Sequence, residues 1–244
     1  MDVSTEKQRL ESIAGKSRYG EGMSFASIGH AFEIFTRFIE PGPILELGPA
    51  EGFMTDRLVT LDQPITAVEA GKIFCDAILS RHPQVEVIHC LFEEFEPDRK
   101  FQTVILGHVL EHVEDPVELL RRVSQWIEPG GRILAAVPNS RSIHRQAAVI
   151  MGILEFEEEL NDLDRHHGHR RVYNPETFRN DFIRAGLTIE VFGGYWLKPL
   201  SNQQLESLFT PLMADAFMRL GERYPDISGE IYVVATKPNV AANE

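Results

Sequence analysis

The sequence predicts an α/β fold on a mostly parallel sheet with helices on both faces. Three observations carry that expectation: short apolar runs alternate with helical patterns, the first run closes in a glycine turn, and Glu69 follows Gly48 by 21 positions. Phe25, Ile28, Phe32, Ile34, Phe35 and Phe38 recur at helical spacing, and Pro41-Gly42-Pro43 ends that helix. Residues 44–47 then form the first strand. The rhythm continues with helix 53–61, strand 65–68, helix 72–80, strand 85–89, strand 101–106 and a helix over 116–127. The turn Glu128-Pro129-Gly130-Gly131 leads to a fifth strand at 133–137. Asn174 as cap and Pro175 in the first turn start a helix over 175–185, strands follow at 187–192 and 231–235, and a helical stripe runs from 205 to 220 between them. Two stretches fall outside the repeating unit: an N-terminal helical cap over residues 1–40 and a His- and Arg-rich insertion over 141–174, near strand ends where substrate sites are usually built.

Length and composition bound the rest. The 244 residues, 43% hydrophobic and 25% charged, fit a single domain spanning 1–244. A formal net charge of −13 disfavours a nucleic-acid partner, because affinity for that backbone comes from phosphate neutralisation by Lys and Arg. The first residues are polar, and the longest apolar stretch, 147–154, is far too short to span a bilayer, so the expectation is a cytoplasmic chain with no membrane partner. Cys75 and Cys90 form neither a disulfide framework nor a metal spacing, and no metal is expected. Oligomeric state is left open, a homodimer included.

The turn after the first strand selects the ligand. An acid about 20 residues beyond a glycine turn takes ribose hydroxyls in nucleoside-binding α/β folds, which gives Glu69 its role. A pyrophosphate needs G-x-G-x-x-G, whereas here Gly48 and Gly52 flank Ala50, with carboxylates at Glu46 and Glu51. Those charges repel phosphate and attract the ammonium and sulfonium of S-adenosylmethionine (SAM).

Four segments then carry a family resemblance: residues 44–52, 67–69, 87–94 and 107–116, continued by 120–132. With them the chain resembles the class I SAM-dependent methyltransferases, and more narrowly small-molecule enzymes related to ubiquinone-biosynthesis O-methyltransferases. The resemblance implies a Rossmann-like seven-stranded mixed sheet in the order 3-2-1-4-5-7-6, with the last-numbered strand antiparallel. It implies that Glu46 and the Gly48, Ala50 and Gly52 backbone face the methionine moiety, Glu69 the ribose, and Leu91, Phe92 and Glu93 the adenine, with Phe53, Gly107 and His108 completing the cofactor site. Ala50 replaces a family glycine, and Leu91 stands where an Asp often holds the adenine amine. Arg18, Tyr19 and Met23 are placed as a lid over the cofactor.

Methyl transfer is an in-line displacement, so the protein aligns the acceptor and, for a hydroxyl, removes its proton; histidine suits that task. His108, just past the fourth strand, is the leading candidate base or orienting group, with His144 and His169 as further candidates and His112 one turn along the same expected helix. Asn139, Arg141, His144, His166, His167, Arg170, Tyr173, Tyr195 and Lys198 are candidate contacts to a polar small-molecule acceptor. Arg170 or Arg171 would supply a forked grip on an anion, and Gly193-Gly194 a sharp turn before the aromatic wall of Tyr195 and Trp196. The reaction read from these residues is O-methylation yielding S-adenosylhomocysteine (SAH), with N-methylation as the alternative. Two other classes compete. His108-Val-Leu-Glu-His112 matches H-x-x-E-H, an inverted zinc-hydrolase motif, and cofactor motifs alone also fit a SAM-binding protein without catalysis.

Overall fold

The computed structural model describes residues 6, 7, 9–11 and 22–238. Seven strands, β1 Ile44–Leu47, β2 Ile65–Glu69, β3 Glu86–His89, β4 Phe101–Gly107, β5 Ile127–Pro138, β6 Thr188–Tyr195 and β7 Glu230–Thr236, make one sheet in the order β3-β2-β1-β4-β5-β7-β6. Strands β1 to β5 pair in parallel, and β7 runs antiparallel to both β5 and β6. This is the mixed sheet expected from the resemblance.

Period-two alternation in the central strands sorts side chains onto two faces. Val104 and Leu106 of β4 and Ile133, Ala135 and Val137 of β5 enter one core, with Leu119, Leu120 and Val123 of α4 (Pro116–Trp126; helices are numbered below) and with Phe178 and Phe182. Ile105, Leu134 and Ala136 enter the other, with Ile34, Phe35, Leu58 and Ile78. The helices are α1 Gly22–Phe35, α2 Phe53–Leu58, α3 Lys72–Arg81, then α4, α5 Ile143–Ile150, α6 Asp162–His167, α7 Pro175–Arg184, α8 Asn202–Leu208 and α9 Pro211–Gly221. At α7 the Asn174 side chain accepts from the Glu176 and Thr177 amides, with Pro175 in the first turn, as the sequence leads one to expect.

Several expectations change. The stripe over 205–220 is two helices, because Phe209 is extended and Thr210 with Pro211 starts α9 as a new one. The turn at 128–131 lies inside β5, which begins at Ile127 and is interrupted opposite β4 by a register shift. Residues 108–115 form no helix; His108 sits at φ 58, and the next helix begins only at Pro116, capped by the Asp115 side chain. Gly193 and Gly194 belong to β6 rather than to a turn, and an added Cβ at Gly193 would lie 2.4 Å from the Tyr232 ring. Helix α1 packs on the core through Met23, Ile34 and Phe35 and lines a cavity through Ser24, Ser27, Ile28 and Ala31. Arg18 and Tyr19 lie outside the described residues. Among the described residues no helix is long and apolar enough to cross a membrane.

Candidate active site

Strand order places the site. The connections leaving β1 and β4 diverge to opposite sides of the sheet, and the crevice at such a switch point is where open α/β sheets bind ligands. A cavity of about 730 Å³ opens there, at the carboxyl ends of the parallel strands.

On the β1–β2 side its wall is acidic and glycine-rich. Gly48 has φ 64, and Ala50 is also left-handed at φ 47. The Ala50 amide donates to Glu69 Oε2 at 3.0 Å, and the Gly71 amide to Glu69 Oε1 at 2.7 Å, so Glu69 ties the two loops while still lining the cavity. Burial raises the Glu69 carboxyl, and these amides offset part of the rise. Glu46 is more extreme. It is 2% exposed, its one hydrogen bond among the described residues comes from the Thr55 hydroxyl at 2.6 Å, and burial pushes its pKa up to about 7. Phe53, Leu91, Phe92, Glu93 and Gly107 complete this end. Gly107 leaves open space, since a Cβ there would meet nothing within 4 Å.

The other end is a circuit of titratable groups from β4, β7 and the insertion. His108 Nδ1 lies 3.4 Å from Glu111 Oε1, and its Nε2 lies 3.8 Å from Glu230 Oε2. Burial alone would lower the His108 pKa, but Glu230 and Glu111 outweigh it and hold the imidazole up to about 9. Burial would raise Glu111; its contact with His108 and the nearby His112 keep it well below the usual carboxylate range. From Glu111 the circuit runs to His112 at 4.0 Å, across an edge-to-face ring contact to His169, on to Asp164 at 3.4 Å and to Arg145 at 3.1 Å. Burial lowers His112 to about 4 and His144 to about 2, so both stay neutral. Glu111, His112 and His169 also bring one ligand atom each within 4.8 Å of one another, a spacing that suits a cation.

The cavity therefore gathers Glu46, Gly48, Ala50, Glu51, Phe53, Glu69, Leu91, Phe92, Glu93, Gly107, His108, His112, Asn139, His144, His167, His169 and Lys198. It does not gather the remaining expected residues. Gly52 faces α3 instead: a Cβ there would sit 2.7 Å from Ile78 Cγ1, so its glycine serves close packing. Arg141 pairs with Glu176 at 2.8 Å on the surface, and His166 is exposed. Tyr173 is 2% exposed, with its hydroxyl donating to Asp181 at 2.9 Å, and Tyr195 is fully buried core. Arg170 and Arg171 make no open fork. Arg170 donates to the His112 carbonyl and pairs with Glu6, while Arg171 donates to the carbonyls of Leu110, Val113 and Glu114. Both fasten the 108–115 loop. Asn139 lines the cavity, but its amide is committed to the Asp226 and Ser228 carbonyls.

Sequence reasoning missed Glu230, Asp164 and Arg145. Glu230 precedes an apolar strand and so reads as a solvent-facing edge residue; only the antiparallel direction of β7 turns it into the cavity.

Residues 25–190 match the family described as "Methyltransferase domain", well over half of the chain, and the chain belongs to that family. Its class is the class I SAM-dependent methyltransferases. Among relatives, the ubiquinone biosynthesis O-methyltransferase of Aeromonas salmonicida is 23% identical over 66% of this chain and 68% of its own. The mitochondrial ubiquinone biosynthesis O-methyltransferase of Homo sapiens is 26% identical over 63% of this chain, which spans only 45% of the human protein. Among solved structures, the N-methyltransferase NodS of Bradyrhizobium japonicum, in complex with SAH, superposes with a TM-score of 0.62 at 11% identity, covering 98% of this chain and 100% of its own. The glycopeptide N-methyltransferase MtfA, complexed with SAM, gives 0.58 at 15% identity over 87% of each chain. The structural likenesses attest the fold.

Proposed function

We propose that this enzyme transfers the methyl group of SAM to an oxygen of a polar small molecule, with His108 as the base. The donor's fit rests on Glu46: a buried carboxylate held by the neutral Thr55 hydroxyl, with a raised pKa, is a site waiting for a cation, and the open backbone at Gly107 lets a nucleoside approach. When bound, SAM supplies an electrophilic methyl on a sulfonium. Glu69 is then the ribose ligand, and Leu91 to Glu93 border the adenine.

The observation that carries the O-methylation reading is the bracketing of His108. Glu111 faces Nδ1 at 3.4 Å and favours a proton on that nitrogen, leaving the Nε2 lone pair for the acceptor hydroxyl. As the hydroxyl oxygen forms its bond to the methyl carbon, its proton passes to Nε2, and the imidazolium that results is stabilised by Glu230 at 3.8 Å. A base whose pKa is raised toward about 9 is strong enough for a hydroxyl proton that ordinary imidazole removes poorly. Glu230 Oε2, which accepts no hydrogen bond among the described residues, favours a second reading, N-methylation of an amine drawn in by that carboxylate. Zinc hydrolysis loses its structural premise, because His108 and His112 share no helical face.

The test is kinetic. With an acceptor found by SAH release, kcat/KM is expected to climb about tenfold per pH unit below about 9, since only unprotonated His108 acts as base. His108→Gln is expected to lose that limb and about 10²- to 10⁴-fold in kcat, while Glu69→Ala raises the Kd for SAH. A flat profile in the parent enzyme, or equal losses of turnover and SAH affinity in His108→Gln, refutes the base assignment, and a methylated nitrogen in the product decides for the second reading.

A further inference from the structure

One charged side chain on the acceptor side has nothing to hold. Lys198 lines the cavity, yet among the described residues its ammonium makes no hydrogen bond and no salt bridge. Its one close partner is the Trp196 ring, 4.6 Å from Nζ to the centroid. The position is built rather than incidental. Trp196 turns the chain at φ 63, with its amide donating to the Met218 carbonyl at 2.9 Å and its carbonyl accepting from Gly229 at 2.7 Å. Gly229 in turn makes room, since a Cβ there would lie 3.1 Å from Lys198 Cβ. His144 lines the same cavity, with a buried Nδ1 that makes no hydrogen bond among the described residues. Glu230 is the nearest acid in electrostatic terms, but it faces His108. A half-buried ammonium in a cavity wall, with unfilled donors, is available to a ligand that enters the cavity.

We propose that Lys198, with His144 on the same cavity wall, is the binding site for a carboxylate of the acceptor, so that the enzyme methylates a hydroxyl on an organic acid. This rests on the methyltransferase reading above. The charge count favours a monoanion: one ammonium and one neutral imidazole match a carboxylate, whereas a phosphate dianion needs a second free cation. Arg145, the nearest candidate, is already committed to the Glu157 and Glu159 carbonyls and to Asp164. Burial lowers the Lys198 pKa to about 8, which still leaves it mostly charged at neutral pH. Glu230, 3.8 Å from His108, repels a carboxylate from the His108 side of the cavity.

Calorimetry on the full chain saturated with SAH tests this, with benzoate and acetate as probes and benzamide and acetamide as their neutral counterparts. The acids are expected to bind at least about tenfold more tightly than the amides, and Lys198→Met to weaken benzoate by about tenfold or more, while Lys198→Arg keeps most of the affinity. Equal binding of acids and amides, no binding of either acid, or unchanged benzoate affinity in Lys198→Met overturns the proposal. SAH affinity reports on the opposite end of the cavity. Should SAH itself fail to bind, the cofactor reading falls, and the benzoate–benzamide comparison on the unliganded chain still decides the Lys198 site.

Discussion

Glu46 is a carboxylate where carboxylates are costly, and its pKa of about 7 makes that cost visible as a pH dependence. A cation binds its ionised form, so SAM affinity is expected to fall by up to about tenfold per unit as pH drops below about 7, with a proton released on binding. Titration calorimetry at pH 6 and 8, in buffers of different ionisation enthalpy, reads both; pH-independent affinity without proton release would remove Glu46 from the donor's charge. At this scale the sequence showed some residues well and others badly. Glu69 is legible because its place after a glycine turn is set by the sheet geometry itself. Arg170, Arg171 and Tyr173 are not, because residue type reveals a donor but not whether the chain's own carbonyls and carboxylates already use it.

At the scale of elements, the loop 108–115 matters most. It carries His108, Glu111 and His112 without helical hydrogen bonding, so its shape depends on outside fastening. Arg171 supplies three donors to its carbonyls, and the Arg170 amide a fourth, to the Glu111 carbonyl at 2.8 Å. Arg171→Ala is therefore expected to cost about 2–4 kcal/mol of stability in denaturant unfolding and to lower kcat more than it raises the Kd for SAH. A loss below about 0.5 kcal/mol would show that the loop holds its own shape. The sequence suggested a helix here because His108 and His112 are four apart; the left-handed His108 and the fresh cap at Asp115 overrule it. Thr210-Pro211 carried a start signal of the same kind, hidden beneath a continuous apolar stripe.

Across the whole molecule, the sheet was readable because each central strand alternates between two cores, which forces helices onto both faces. The interior of the insertion was not, since its order comes from ion pairs such as Arg145 with Asp164 and from the Asn139–Tyr173 bridge rather than from periodicity. Because the cavity joins β1, β2, β4, β5 and β7, a ligand there is coupled to global unfolding. SAH at about 100 times its Kd is expected to add about 2.7 kcal/mol, or about 5–10 °C in Tm for a chain this long. A scan with no shift would place SAH elsewhere or nowhere.

Strand β7 enters the sheet between β5 and β6 running against both, so the beginning of that strand, Glu230, is what reaches the site. A ribosome must pass residue 230 before this wall can exist. A product of premature termination short of that point lacks the carboxylate beside His108, the Gly229 support for Lys198 and the strand that joins β5 to β6.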